Sequence, residues 1–469
     1  KNSLGKGLLG YFPYLLPVGY FVYWRMFIFV SKRVATDSTV LIEKYKEAPL
    51  EQFIQLAYRI LEGFIQSSIF SFITPLRLGI SQTSWFDLIG ASLLALLSCA
   101  IFFLSLGAII KTHSQKINSQ EQKQTAFHWE LILLGVLMAI SGIIPLVMAD
   151  RQVSFQADYS RYTLPAIPGV VFLIGGIFSF LEKIMKHRKL HVFFATIILF
   201  VSVMTHYLNG AHFGNVWDMQ KDVWWQLSWR VPQIEDETIL MVMTPENTRF
   251  VEGFGVFAPV SLIYYPPPVN ELSIFAEVIN QTTVEYVIEQ KVFERYTRTI
   301  PIQYDYNNVL VISKPGPESC VHIYDQDFLL LSSSEGDYIR NIAPFSNMDR
   351  IILDEPVKIP DTTLFGKEQI DNWCYFYQKA ELAKQKEDWE EIIRLGEEAE
   401  SMRLEPSDGS EWMPFYIAYL KTNQEELAHD IQMKLIADQG FLDSLCKQKN
   451  NPKPIEDKTG QRVLDELCQ

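Results

Sequence analysis

The chain has 469 residues, 48% of them hydrophobic and 13% aromatic, with a formal net charge of −14. The length supports a membrane domain plus one or two soluble domains. The acidic balance argues against a nucleic-acid partner and for simple solubility of the charged part.

The apolar residues are concentrated before Leu208, and the region from Asn209 on reads as acidic and globular. The sequence opens at Lys1 and enters an apolar span within a few residues, with no basic leader and small-residue cleavage pattern. We expect it to be the C-terminal portion of a longer membrane protein. Cys99 lies in an apolar span, and Cys320, Cys374, Cys446 and Cys468 lie beyond the spans. None forms a C-x-x-C pair, so no metal site is expected, and disulfides stay open but unassigned.

Six apolar spans of roughly 20 residues are expected near 8–30, 54–75, 85–110, 130–149, 164–182 and 191–208. The first carries Pro13, Pro17 and Arg25, and the second carries Arg59 and Glu62. Alternate loops hold eleven basic residues (four in 31–53, three in 111–128, four in 183–190) against three, Arg77, Arg151 and Arg161, in the others. The positive-inside rule then makes the first set cytoplasmic and places everything after Asn209 outside.

Residues 209–234 follow the last span, with tryptophans at 217, 224, 225 and 229 at helical spacing. They read as an amphipathic helix on the membrane surface, the competing reading being a helix packed on the soluble domain. Strand-like runs come at Thr238–Met243, Val260–Tyr265, Val284–Ile288 and Asn308–Ile312, with a helix at 270–280. They predict an extracytoplasmic α/β domain over 235–325. A connector covers 326–370.

The end of the chain predicts helices at Asp371–Lys386, Trp389–Met402, Glu411–Lys421 and Glu425–Ala437, then a polar tail over 451–469. Aligning Asp388–Ile392 with Gln424–Ala428 gives a repeat offset of 36 residues. Ala380, Ala399 and Ala418 are the small residues that let paired helices approach, and Trp389 should be buried inside the first hairpin. The stretch 371–450 resembles two degenerate tetratricopeptide repeats. That resemblance implies a short helical cap docked on the preceding domain, open to a protein partner.

The polar run Asp150–Tyr162 passes directly into Thr163-Leu164-Pro165-Ala166-Ile167-Pro168. Prolines in a first helical turn remove N–H groups that would be unpaired anyway. Arg161 at this depth can hold a lipid phosphate bidentately, and Tyr162 can stack on a sugar. The bland alternative is a snorkelling Arg with a belt Tyr. Arg151 and Asp158 lie in the same loop. Arg59 and Glu62, three apart in the second span, share a helix face and can pair, either as part of a site or as a structural pair near the cytoplasmic end. These six residues form the candidate substrate-binding set.

Through Arg161-Tyr162-x-Leu164-Pro165-x-x-Pro168, residues 1–230 resemble the GT-C superfamily of polytopic glycosyltransferases, such as the protein mannosyltransferases. The resemblance implies a polyprenyl-phosphate-linked sugar donor, work on the extracytoplasmic face, and no cofactor. It also places the catalytic acid in an early loop upstream of Lys1, so no catalytic residue is assigned. The expected setting is the plasma membrane of a prokaryote. The rival reading is a non-catalytic membrane scaffold presenting a protein-binding module.

Two further strings carry less. Gly253-Phe254-Gly255-Val256-Phe257-Ala258 fits G-x-G-x-x-A, but nine residues separate it from the strand at 238–243. Asn280-Gln281-Thr282 is a glycosylation sequon. The eight histidines form no H-E-x-x-H pattern or facial cluster.

The expected fold is therefore a polytopic α-helical membrane domain of about six spans, a soluble α/β domain and a tetratricopeptide-like cap.

Overall fold

The computed structural model describes residues 48–113, 127–155, 157–184, 188–245, 253–266, 273–297, 300–447 and 458–468, with short stretches between 16 and 46 and positions 248 and 250. The chain divides into two compact units, one ending at Gly214 and the other starting at Asn215.

In the first unit, α1 (Pro49–Ile65), a π-helical turn (Gln66–Phe70) and α2 (Ser71–Gln82) run on without a break. Then come α3 (Trp85–His113), α4 (Phe127–Met148), a 3-10 helix (Ala157–Ala166), α5 (Ile167–Ile184) and, up to Gly214, the first part of α6 (Arg188–Arg230). Among the described residues, four helical stretches are long and apolar enough to cross a membrane: Trp85–Gly107, His128–Met148, Ser160–Leu181 and His191–Arg230. They match the last four expected spans. The expected span at 54–75 falls in α1–α2, which is not one of the four. Most of the expected span at 8–30 lies outside the described residues.

Glycines set the closest packing in this unit. A Cβ on Gly169 of α5 would lie 2.1 Å from Ala139 N of α4, and one on Gly135 would lie 2.4 Å from Leu173 N. Gly142 approaches the Pro165 carbonyl and Gly176 approaches Ile132 in the same way. Two backbones in van der Waals contact are what small residues provide in lipid, where no hydrophobic effect drives helices together.

The second unit is built on a four-stranded sheet of order β3-β2-β6-β7. Its strands are β2 (Thr238–Met243), β3 (Ile274–Val278), β6 (Val309–Ser313) and β7 (His322–Ile323). β2 runs parallel to β3 (Leu240 opposite Ala276) and to β6 (Leu240 opposite Leu310). β7 closes one edge antiparallel. Successive side chains point to opposite faces. Leu240, Val242, Leu310 and Ile312 therefore meet α7 (Phe254–Tyr264) and the end of α6, while Ile239, Met241, Val309 and Val311 meet α8 (Gln281–Ile288) and α9 (Asp337–Ile342). Two short pairs complete the strands: β4 (Val292–Thr297) with β5 (Ile300–Asp305), and β1 (Gln233–Ile234) with β8 (Ile351–Ile352).

Three sequence expectations are corrected here. Val260–Tyr265 lies mostly in helix α7, Val284–Ile288 is helix α8, and Ile274–Val278 within the expected helix 270–280 is strand β3. Short apolar runs lack the length that separates the two periods. For α8 the deciding signal is local: Asn280 accepts from Thr282 N at 2.9 Å and Thr283 N at 3.2 Å, while Thr283 Oγ1 accepts from Asn280 N at 2.9 Å. This capping box nucleates the helix and gives the sequon a structural job. Gly253, directly before α7, would put a Cβ 2.0 Å from the Ala276 carbonyl oxygen, so it serves close helix–strand packing.

The surface-helix expectation is also corrected. Trp224, Trp225 and Trp229 are buried in the core beneath the sheet, and Trp225 Nε1 donates to the Phe365 carbonyl at 3.1 Å. The packed alternative holds for these three, while Trp217 stays 39% exposed.

The four expected terminal helices appear as α11 (Trp373–Gln385), α12 (Trp389–Ser401), α13 (Met413–Lys421) and α14 (Glu425–Ala437); α10 is the short Thr362–Phe365 before them. Ala380, Ala399 and Ala418 are buried among them. Trp389 is only partly buried, with Lys421 Nζ 5.4 Å from its ring centroid, and Trp373 fills the core instead. These helices share one compact unit with the sheet, and Cys320–Cys374 joins the two.

Beyond α15 (Gln439–Cys446), the stretch expected only as a polar tail is ordered structure at residues 458–468. They form α16 (Lys458–Leu467), whose Val463, Leu464 and Leu467 are buried, tied down by Cys446–Cys468.

Candidate functional site

The junction between α4 and α5 carries four of the six predicted site residues, Arg151, Asp158, Arg161 and Tyr162, and α1 carries Arg59 and Glu62. α4 ends in a Schellman motif: Arg151 N donates to Leu146 O at 2.9 Å and Asp150 N to Val147 O at 3.0 Å. The motif needs a left-handed residue, and Asp150 supplies it at φ 56°. Asp tolerates this region better than most side chains, yet Gly is the usual choice. The carboxylate that Asp brings is used, because Arg59 Nη1 of α1 donates to Asp150 Oδ1.

Arg59 thus pairs with Asp150 and not with Glu62, contrary to expectation. Glu62 shares the helix with Arg59, but a partner presented by another element wins over the i,i+3 neighbour.

The 10-residue 3-10 helix Ala157–Ala166 then leads into α5. Thr163 Oγ1 donates to Ser160 O at 2.8 Å, and Thr163 is buried. Tyr162 packs against Ala139, Ile143, Val147, Val153, Ala166 and Val170. Arg161 is exposed, its guanidinium carbon 5.2 Å from the Tyr162 ring centroid. Arg151 is partly exposed on the same loop. The Asp158 side chain lies outside the described residues. The junction therefore brings together Arg59 with Asp150, and Arg161 with Tyr162. It can offer a planar cation beside an aromatic face to an anionic, ring-bearing headgroup.

The second unit contains polar clusters that the sequence did not reveal. His322, Asp408 and Glu411 are all buried, with candidate ligand atoms within 4.8 Å of one another. The residue types suit a metal, but both Asp408 oxygens and Glu411 Oε1 already have protein donors. Glu411 Oε1 accepts the Cys320 N–H at 2.7 Å and lies 3.4 Å from His322 Nε2. Asp408 Oδ1 accepts Ser410 N at 3.0 Å and Ser410 Oγ at 2.6 Å, and its Oδ2 accepts from Ser332. The arrangement is a hydrogen-bonded network joining β7 to the cap. Burial works against charge on His322, but the Glu411 carboxylate, helped by Asp408 and Glu335, outweighs it and raises the imidazole above its ordinary range.

At the carboxyl ends of β2 and β6, where such sheets place ligands, Lys314 Nζ meets Asp222 Oδ2 at 2.7 Å. Ser313 Oγ and Tyr324 Oη lie 2.7 Å apart, and both donate to Glu335. No local motif marks these residues, because their partners come from distant elements.

The helical cap holds a groove of about 790 Å³, lined among others by Trp373, Gly396, Arg403, Trp412, Tyr419 and Lys434. Gly396 keeps it open beside Phe415 and Tyr419, which a Cβ would approach to 3.1 and 3.2 Å.

No protein-family model, curated protein or solved structure matches this chain.

Proposed function

We propose that this chain is the C-terminal portion of a membrane glycosyltransferase-like protein of the GT-C kind. It takes a polyprenyl-phosphate-linked sugar donor on the extracytoplasmic face, in the plasma membrane of a prokaryote. The observation that carries this reading is the exposed Arg161 on a 3-10 helix leading into a candidate span, with Tyr162 anchored beneath it. A guanidinium fork at this depth suits a lipid-linked phosphate, and Arg151 adds positive charge from the same loop.

The disulfides support the orientation. The cysteines of the second unit pair as Cys320–Cys374 and Cys446–Cys468, whereas Cys99 in a candidate span is free. Disulfides persist in oxidising compartments, which favours the reading that the second unit lies outside the cytoplasm. The basic residues of 111–128 and 183–190 support the opposite side for those loops.

Binding of a polyprenyl phosphate to the purified protein tests the reading. Arg161→Ala should weaken it, and Arg161→Lys should weaken it less, because lysine keeps the charge but loses the fork. Equal affinities for wild type and Arg161→Ala rule out the clamp.

The second reading is a membrane scaffold, and the groove in the tetratricopeptide-like cap favours it. Its aromatic and charged lining suits a segment of a protein partner.

A further inference from the structure

We propose that the helical stretch from Pro49 to Gln82 does not cross the membrane. It lies along one face, with its apolar stripe seated in a single lipid leaflet.

The depths at which the helices meet support this placement independently of the phosphate clamp. α4 ends at Met148 and α5 is entered through residues 157–166, so these ends mark one face of the membrane unit, the Asp150 face. α5 leaves at the opposite face, and α6 returns. At 1.5 Å per residue, α6 has risen about 30 Å between Arg188 and Leu208, so Leu208 is back near the Asp150 face. α3 starts at that face too. A Cβ on Gly90, near its beginning, would lie 2.7 Å from Tyr207 Oη, while Cys99, deeper in α3, lies 3.7 Å from the Thr196 carbonyl.

The stretch from Pro49 to Gln82 meets this face at two places, around Arg59–Gly63 and near its end at Gly79. Arg59 is bonded to Asp150. Gly63 packs on Ile143 and Val153, its Cβ position 3.0 and 3.2 Å away. Gly79 packs on Leu208, its Cβ position 2.8 Å away. A helix running along the spans would change depth by about 24 Å between residues 63 and 79. The two contacts show no such change.

The side chains agree. Leu50, Ile54, Leu61, Ile69, Ile73 and Ile80 are exposed and recur at helical spacing, while Gly63, Ser67 and Gly79 are buried against the unit. The stripe continues into the exposed Trp85 and Phe86 at the start of α3. An apolar stripe of this length beside lipid-facing spans fits acyl chains, as in-plane amphipathic helices do.

The test is sidedness in sealed vesicles of one orientation, using the full chain. The native cysteines stay silent, since Cys99 is buried and the other four are disulfide-bonded. Single variants Glu51→Cys and Ser81→Cys receive a membrane-impermeant maleimide, with Ser160→Cys marking the Asp150 face. All three should label from the same side. Labelling of Glu51→Cys only from the opposite side would overturn the proposal. Nitroxide labels on Ile54→Cys and Ile73→Cys provide a second readout of depth. Both should report the same leaflet, whereas a crossing helix separates them by about 28 Å and places them in opposite leaflets.

Discussion

Arg59 and Asp150, 91 residues apart in sequence, form an ion pair that ties α1 to the left-handed end of α4. Both side chains are 41–48% exposed, so the pair is worth only about 0–1 kcal/mol. Its significance is positional. A double-mutant cycle with Arg59→Ala and Asp150→Asn should give a small positive coupling in thermal unfolding. The cycle with Arg59→Ala and Glu62→Gln should give none. Coupling to Glu62 in place of Asp150 would reinstate the i,i+3 pair.

Gly169 and Gly175 provide a matched comparison on α5. A Cβ at Gly169 would strike Ala139 N of α4, whereas nothing lies within 4 Å of one at Gly175. Gly169→Ala should destabilise the first unit by about 1–3 kcal/mol through overpacking. Gly175→Ala should be neutral or gain about 0.5–1 kcal/mol of helix propensity. Melting of both variants in detergent checks the difference.

The spans at 85–110, 130–149, 164–182 and 191–208 were legible because a membrane demands about 20 apolar residues in a row. The four terminal helices were legible because their polar and apolar residues alternate with the helical period. Legibility failed where tertiary partners decide. Val284–Ile288 is the exception: its β-branched residues read as a strand, and the signal passed over was local, the Asn280–Thr283 capping box that starts helix α8. Trp224, Trp225 and Trp229 look interfacial until the sheet covers them. Arg59 shares a face with Glu62, but Asp150 arrives from another helix. His322, Asp408 and Glu411 meet only after the cap docks, so no local spacing announces them.

The two disulfides should be present in protein isolated from its native membrane. Thiol counting after denaturation should find one free cysteine, Cys99, and five after reduction. The Cys320–Cys374 bridge closes the longer loop, with a separation of 54 residues. Replacing both its cysteines by alanine should cost about 2–4 kcal/mol, measured by urea unfolding of the second unit.

His322 makes stability depend on pH. Its folded pKa is raised, so its contribution is fully present below the unfolded value of about 6.5 and is lost as pH rises through the folded value. Unfolding of the second unit should therefore become easier in wild type as pH rises above the unfolded value and through the raised folded one, and less so in His322→Gln. Parallel pH profiles for the two proteins would exclude a charged His322–Glu411 contact.

Locating a bound carrier on the intact protein tests the phosphate clamp most directly. A photoactivatable polyprenyl-phosphate analogue, crosslinked in native membranes and mapped by peptide mass, should mark the loop from Arg151 through Pro168. Excess unlabelled polyprenyl phosphate should compete with it, and Arg161→Ala should lose most of the label. Label spread along the exposed faces of α3 and α5, or held at full strength in Arg161→Ala, would contradict the clamp.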